Sequence, residues 1–258
     1  MPAVLRPRPL RTLALAGALV VVVGVVAAAA ETGAPPAGAT RTANQVGPPT
    51  AARAWTARVL LPVVGRAAPR ADARVVAPIM HYTAYSRRPQ ILLVTGVATG
   101  PSGGRWVRVQ LPRRPNGTQA WIPEAATELS STGVRIRIRT RSHRVEVWRQ
   151  GRLRASYRAA VGTGSTPTPI GHFAVQDPVP STANQRSFLG PYILTLTAHS
   201  AVLRSFMGGD GLVAIHGTNA PGLLGRAVSH GCVRVSNAAV VSLREVVAPG
   251  TPVVIDRT

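Results

Sequence analysis

The chain has no lysine: all 30 of its basic residues are arginine, set against only 9 acidic residues, for a formal net charge of +21. Such a charge favours anionic surroundings, whether nucleic acid, lipid or wall polymers. Arginine in place of lysine, beside abundant Ala, Gly, Pro and Val, equally fits a GC-rich coding bias. Nucleic-acid recognition needs an aromatic or helical reading element, and the sequence offers none. Aromatics are only 4% of residues, so a core must be aliphatic. Cysteine occurs once in 258 residues, which excludes an intramolecular disulfide. It also excludes the paired thiolates of common zinc sites. Glycine (25) and proline (23) are plentiful and punctuate the chain with turns, which argues for a mainly β protein over a helical bundle.

The N-terminus reads as a targeting segment. Arg6, Arg8 and Arg11 precede an uncharged apolar run from Leu13 to Ala30 that ends in Ala28-Ala29-Ala30. A basic flank, an apolar stretch and a small-residue end describe a secretory signal. The run is also long enough for a single membrane anchor, which takes roughly 17–25 residues. Either reading of residues 1–30 places the remainder outside the cytoplasm, in the cell envelope. Residues 31–56, rich in Ala, Pro, Gly and Thr without apolar periodicity, read as a flexible linker.

Two β-rich units follow. Residues 57–130 carry strand signals at 59–61, 74–76, 90–97, 106–111 and 119–122, with a turn at Asn116-Gly117, and predict a small β-barrel-like module. Residues 133–257 begin with Val134-Arg135-Ile136-Arg137-Ile138-Arg139, the alternation of a half-buried strand. Further strands are expected at 143–149, 153–161, 171–175, 192–196, 211–216 and 251–255. One short helix is expected over 238–247, capped by Ser236 or Asn237 and stopped by Pro249-Gly250.

The chemistry concentrates in Ile215-His216-Gly217-Thr218-Asn219 and Ser229-His230-Gly231-Cys232-Val233-Arg234. A thiol attacks a carbonyl as thiolate, and an imidazole can take its proton. His216, at the end of an apolar strand, and His230, two residues from the thiol, are both candidates. Gly231 lets the backbone approach a substrate closely. The N–H groups of His230, Gly231 and Cys232 can form an oxyanion hole. A buried inert cysteine, a metal site or purely structural histidines are the competing readings. One cysteine with few carboxylates weakens the metal reading. Structural histidines do not explain the combination with a lone exported thiol and flanking glycines.

These two blocks resemble the signature of the L,D-transpeptidase (YkuD-type) catalytic domain. Val161-Gly162-Thr163-Gly164, Thr168-Pro169-Ile170-Gly171-His172-Phe173 and Gly190-Pro191-Tyr192 are similar to further family elements. The resemblance spans 134–256 and implies mixed sheets with one short helix after the cysteine. It implies Cys232 as nucleophile, His216 as base and Gly217 orienting the imidazole through its carbonyl. His230 and Gly231 then join Cys232 as oxyanion donors, and Arg234, Ser229 and Tyr192 contact substrate. The implied reaction removes the terminal D-Ala of a peptidoglycan tetrapeptide stem and joins the stem to an acceptor amine, without metal or cofactor. Carbapenem β-lactams are implied inhibitors. Water as acceptor would make a carboxypeptidase, and an inactive unit would make a wall-binding protein. Around Trp106 and Trp121, residues 105–123 resemble bacterial Src-homology-3-like modules.

Overall fold

The computed structural model describes residues 46–205 and 209–258, so the expectations for residues 1–30 and most of the linker lie outside the described residues. Strands dominate. The first unit holds β1 (Ala54–Val59), β2 (Val63–Arg66), β3 (Val75–Ile79), β4 (Ile91–Thr99), β5 (Arg105–Gln110), β6 (Gln119–Pro123) and β7 (Thr127–Thr132). They form one sheet in the order β3-β2-β6-β5-β4-β1-β7. Its inner face is aliphatic: Ala57, Val94, Val107, Val109 and Ile122 are fully buried. β1 starts at Ala54, inside the stretch read as linker, because Ala54 and Trp55 occupy buried positions and pair with β7. Its partners, β4 on one side and β7 on the other, both lie far along the chain, so no local signal marks its start.

The second unit continues with β8 (Val134–Arg139), β9 (Arg144–Arg149), β10 (Arg152–Arg158), β11 (Val161–Gly162) and β12 (Gly171–Pro180). Helix α1 (Ala183–Leu189), β13 (Tyr192–His199), β14 (Leu212–His216), β15 (Ala227–Ser229) and β16 (Val233–Arg234) follow, then α2 (Asn237–Val246) and β17 (Pro252–Asp256). The main sheet runs β10-β9-β8-β17-β12-β13-β14-β16, and β11 pairs with β15 separately. The sheet is mixed, with β17 parallel to β8 and β14 parallel to β16.

β8 shows how the pattern folds. Ile136 and Ile138 are fully buried against Phe173, Ile255 and Val145. On the other face Arg137 pairs with Asp256 at 2.6 Å, Arg139 with Glu146 at 3.1 Å, and Arg135 covers the Trp148 ring. α2 buries Ala239, Val240 and Leu243 on the same core, and Ser236 caps it by accepting from the Ala239 N–H. α1 is a second helix where only one was expected. It buries no residue and therefore carries no apolar stripe, although Thr182 and Gln185 close a capping box at its start.

Side chains of the first unit grip the second. Arg114 donates to the carbonyls of Ser200, Leu203 and Asp210, and Asn116 exchanges two 2.8 Å bonds with the backbone of His199. Buried Asp177 accepts from the hydroxyls of Thr83, at 2.9 Å, and Ser86.

Candidate active site

The parallel pairing of β14 with β16 brings the chemistry together. Ile215 stands opposite Val233 and His216 opposite Arg234. Strand alternation puts His216 and Arg234 on one face, and Cys232, two residues before Arg234, on that face too. Cys232 immediately precedes β16, and its Sγ lies 4.0 Å from the carbonyl of Leu212, on the same strand as His216. Cys232 and His216 line one cavity of about 410 Å³ with Ser229, His230, Arg234 and Asn219. α1 closes its other side with Gln185, Phe188 and Leu189, a wall the sequence reading missed.

The imidazole is held in one orientation. His216 is 5% exposed, and its Nδ1 lies 2.7 Å from the Gly217 carbonyl. A carbonyl only accepts, so Nδ1 carries the proton and Nε2 keeps its lone pair. Burial lowers the His216 pKa to about 4, with the nearby Arg234 charge acting the same way and the Gly217 bond opposing. Burial also pushes the Cys232 thiol up, against smaller opposing effects from the Ala214 backbone hydrogen bond and the Arg234 charge. Both shifts favour the uncharged forms.

Asn237, read only as a capping candidate, sets the position of that carbonyl. Its Oδ1 accepts from the Thr218 N–H at 2.9 Å. Gly217 and Gly190 pack face to face beneath it: a Cβ on Gly217 would stand 2.9 Å from the Gly190 Cα and would collide with Asn237. The Gly-Pro-Tyr element thus matters through its glycine. Tyr192 does not reach the cavity. It packs against the core of the second unit, and its neighbour Ile193 lines the cavity instead.

The thiol loop is tied from within and below. Ser229 Oγ donates to the Cys232 carbonyl at 2.5 Å and accepts the Gly231 N–H at 3.1 Å. That contact engages the Gly231 N–H, one of the expected oxyanion donors, and Ser229 braces the loop while it also lines the cavity. Gly231 adopts φ +117°, a backbone region that favours glycine. The Thr168 hydroxyl donates to the Gly231 carbonyl at 3.0 Å and accepts from the Gly162 N–H at 2.9 Å, so the Thr-Pro block supports the loop from beneath. Arg234 lines the cavity and makes no salt bridge among the described residues. Those residues also hold no group of His, Cys, Asp and Glu side chains fit to bind a metal.

Residues 133–255 match the family model of the YkuD L,D-transpeptidase catalytic domain. The chain is 33% identical over 119 residues to the YkuD protein of Bacillus licheniformis, covering 46% of this chain and 63% of that protein. It is 35% identical over 106 residues to the YkuD protein of Bacillus subtilis, covering 41% of this chain and 56% of that protein. Both relatives carry L,D-transpeptidase in their names, and the match spans less than two thirds of either. A solved L,D-transpeptidase from Mycobacterium tuberculosis is 14% identical, with a TM-score of 0.43 over 77% of this chain and 94% of that one.

Proposed function

With residues 133–255 matched to the L,D-transpeptidase catalytic domain family, we propose that this unit transfers peptidoglycan acyl groups through Cys232. The observation that carries the reading is the β14–β16 register, which turns the one thiol and an oriented, neutral imidazole toward the same cavity.

With Nδ1 engaged by the Gly217 carbonyl, His216 Nε2 is the nitrogen that can take a proton. Cys232 Sγ adds to the carbonyl of the diamino-acid residue in a tetrapeptide stem while His216 Nε2 takes the thiol proton. The N–H groups of His230 and Cys232 meet the oxyanion. Each such donor is worth about 10²–10³ in rate. The C–N bond breaks, His216 protonates the departing D-alanine, and a thioester remains. An amine then displaces the sulfur. No step calls for a metal or cofactor. Arg234 suits a substrate carboxylate, which it can bind in two-point fashion.

In this reading the protein works outside the cytoplasm, exported or anchored through residues 13–30. Its arginine-rich surface favours anionic wall polymers, and carbapenems acylate the same thiol. The seven-stranded unit serves as a Src-homology-3-like module that positions the enzyme on the wall. Among the described residues no helix is long and apolar enough to cross a membrane.

The test is incubation with a purified disaccharide-tetrapeptide. Wild type releases D-alanine, and Cys232→Ala releases none. A folded wild type that releases no D-alanine overturns the enzymatic reading and leaves a wall-binding role.

A further inference from the structure

Of the eight buried side-chain atoms without a hydrogen-bond partner among the described residues, four belong to residues lining a single cleft. The cleft has a volume of about 930 Å³ and runs between the first unit and the second. The four are Gln90 Nε2, Gln176 Oε1, His199 Nδ1 and His81 Nδ1. Gln90, Gln176 and His199 are 6%, 5% and 2% exposed. A buried polar atom left unpaired is costly, so native proteins leave few of them. Half of the unpaired atoms at one cavity point to a ligand that completes them.

Their chemistry describes that ligand. Gln90 offers a donor and Gln176 an acceptor, and each amide can turn about its broad terminal torsion to meet the cavity. His199 Nε2 lies 3.2 Å from the Asp210 carboxylate. A carboxylate accepts, so Nε2 carries the proton and Nδ1 is an acceptor in the neutral ring. Alternating donors and acceptors suit peptide groups, which present one of each. Tyr85, 59% exposed, and Tyr82, 43% exposed, flank the mouth with contact area. Asp210 is the one carboxylate on the cleft lining, which also carries Arg87 and Arg113.

The cleft adjoins the thiol cavity. Leu212 lines both, and Gly211, next to Asp210, lines the thiol cavity. Arg114 fixes this segment by donating to the Asp210 carbonyl at 3.0 Å. A cationic amine drawn to Asp210 therefore stands beside the wall of the chamber that would hold the thioester.

We propose that this cleft binds the acyl acceptor, a second stem peptide whose side-chain ammonium is drawn to Asp210 while its backbone amides pair with Gln90 and Gln176. The proposal rests on the acyl-transfer reading above and deepens it by giving the acceptor amine a binding site. The ammonium first loses one proton to solvent. Its nitrogen then attacks the thioester carbonyl, forming the C–N bond and breaking the C–S bond. The second amine proton passes through His216 to the departing sulfur, which restores the thiol.

The experiment uses the whole chain and a purified disaccharide-tetrapeptide as both donor and acceptor. It reads the ratio of cross-linked dimer to hydrolysed tripeptide, with D-alanine release measured alongside and carbapenem labelling as the check on folding. Removing the charge in Asp210→Asn lowers the ratio about two- to fivefold, the effect of one exposed ion pair. Tyr85→Ala, at a solvent-facing position, lowers it too. Gln176→Leu lowers the ratio without lowering Tm, because it removes a buried polar atom that has no partner in the free protein. An unchanged ratio in all three labelled variants overturns the acceptor site, as does a wild type that releases D-alanine but forms no dimer. A wild type that neither labels nor releases D-alanine overturns the acyl-transfer reading and the acceptor site with it.

Discussion

The walls of the two neighbouring cavities differ in how their polar groups are used. Around the thiol, hydrogen bonds close on themselves. Ser229 links Gly231 to the Cys232 carbonyl, Thr168 holds the Gly231 carbonyl, Asn237 holds Thr218, and Gly217 holds His216. In the cleft between the units, Gln90, Gln176, His81 and His199 each leave an atom unpaired. Reacting atoms need a geometry set before substrate arrives, which a closed network supplies. A binding surface instead keeps polar groups open for its ligand to complete.

Removing the closed wall's chemistry should give the largest effect. His216→Ala should lower the rate of Cys232 acylation by about 10²–10⁴ while the protein remains folded. Stopped-flow carbapenem acylation measures this, and a near-normal rate would remove His216 from its role.

Loosening the same wall from behind should cost stability and rate together. In Asn237→Ala the buried Thr218 N–H loses its acceptor, at about 1–3 kcal/mol, and the Gly217 carbonyl loses its anchor. Acylation should slow even though Asn237 touches neither reacting group. Asn237→Asp, which keeps an acceptor, should recover part of the rate. A variant with lowered Tm but wild-type acylation would reduce Asn237 to a structural role.

The buried imidazole should also make stability depend on pH. The unfolded chain protonates this ring below about pH 6.5, the folded protein only below about 4. Stability conferred by the neutral ring is complete above 6.5 and declines as pH falls to 4, by roughly 3 kcal/mol. His216→Gln should flatten that portion of the Tm–pH curve, and identical curves would contradict the burial argument. The smallest effect belongs to the sheet's outer face. Asp256→Asn, at the partly exposed Arg137 pair, should cost under about 1 kcal/mol by urea unfolding.

Much of the second unit is legible along the chain because its signals are local. The Val-Arg-Ile-Arg-Ile-Arg alternation gives β8 at its observed bounds, and Ser236 before an apolar stretch gives α2. What escaped depends on contacts across the chain. α1 buries nothing, so no periodic stripe marks it, and only the Thr182–Gln185 spacing hinted at a helix start. Tyr192 packs on the core while its neighbour Ile193 lines the cavity, because strand alternation sends successive side chains to opposite faces. Asn237 acts nineteen residues away from its partner Thr218. The cleft joins residues of two units that the sequence presents one after the other.

Cys232, activated by His216, is the proposed nucleophile. Intact-mass measurement after carbapenem exposure tests it most directly. The expected result is one adduct per wild-type chain, on the peptide containing Cys232, and none on Cys232→Ala. A folded wild type without an adduct, or an adduct surviving in Cys232→Ala, would contradict it.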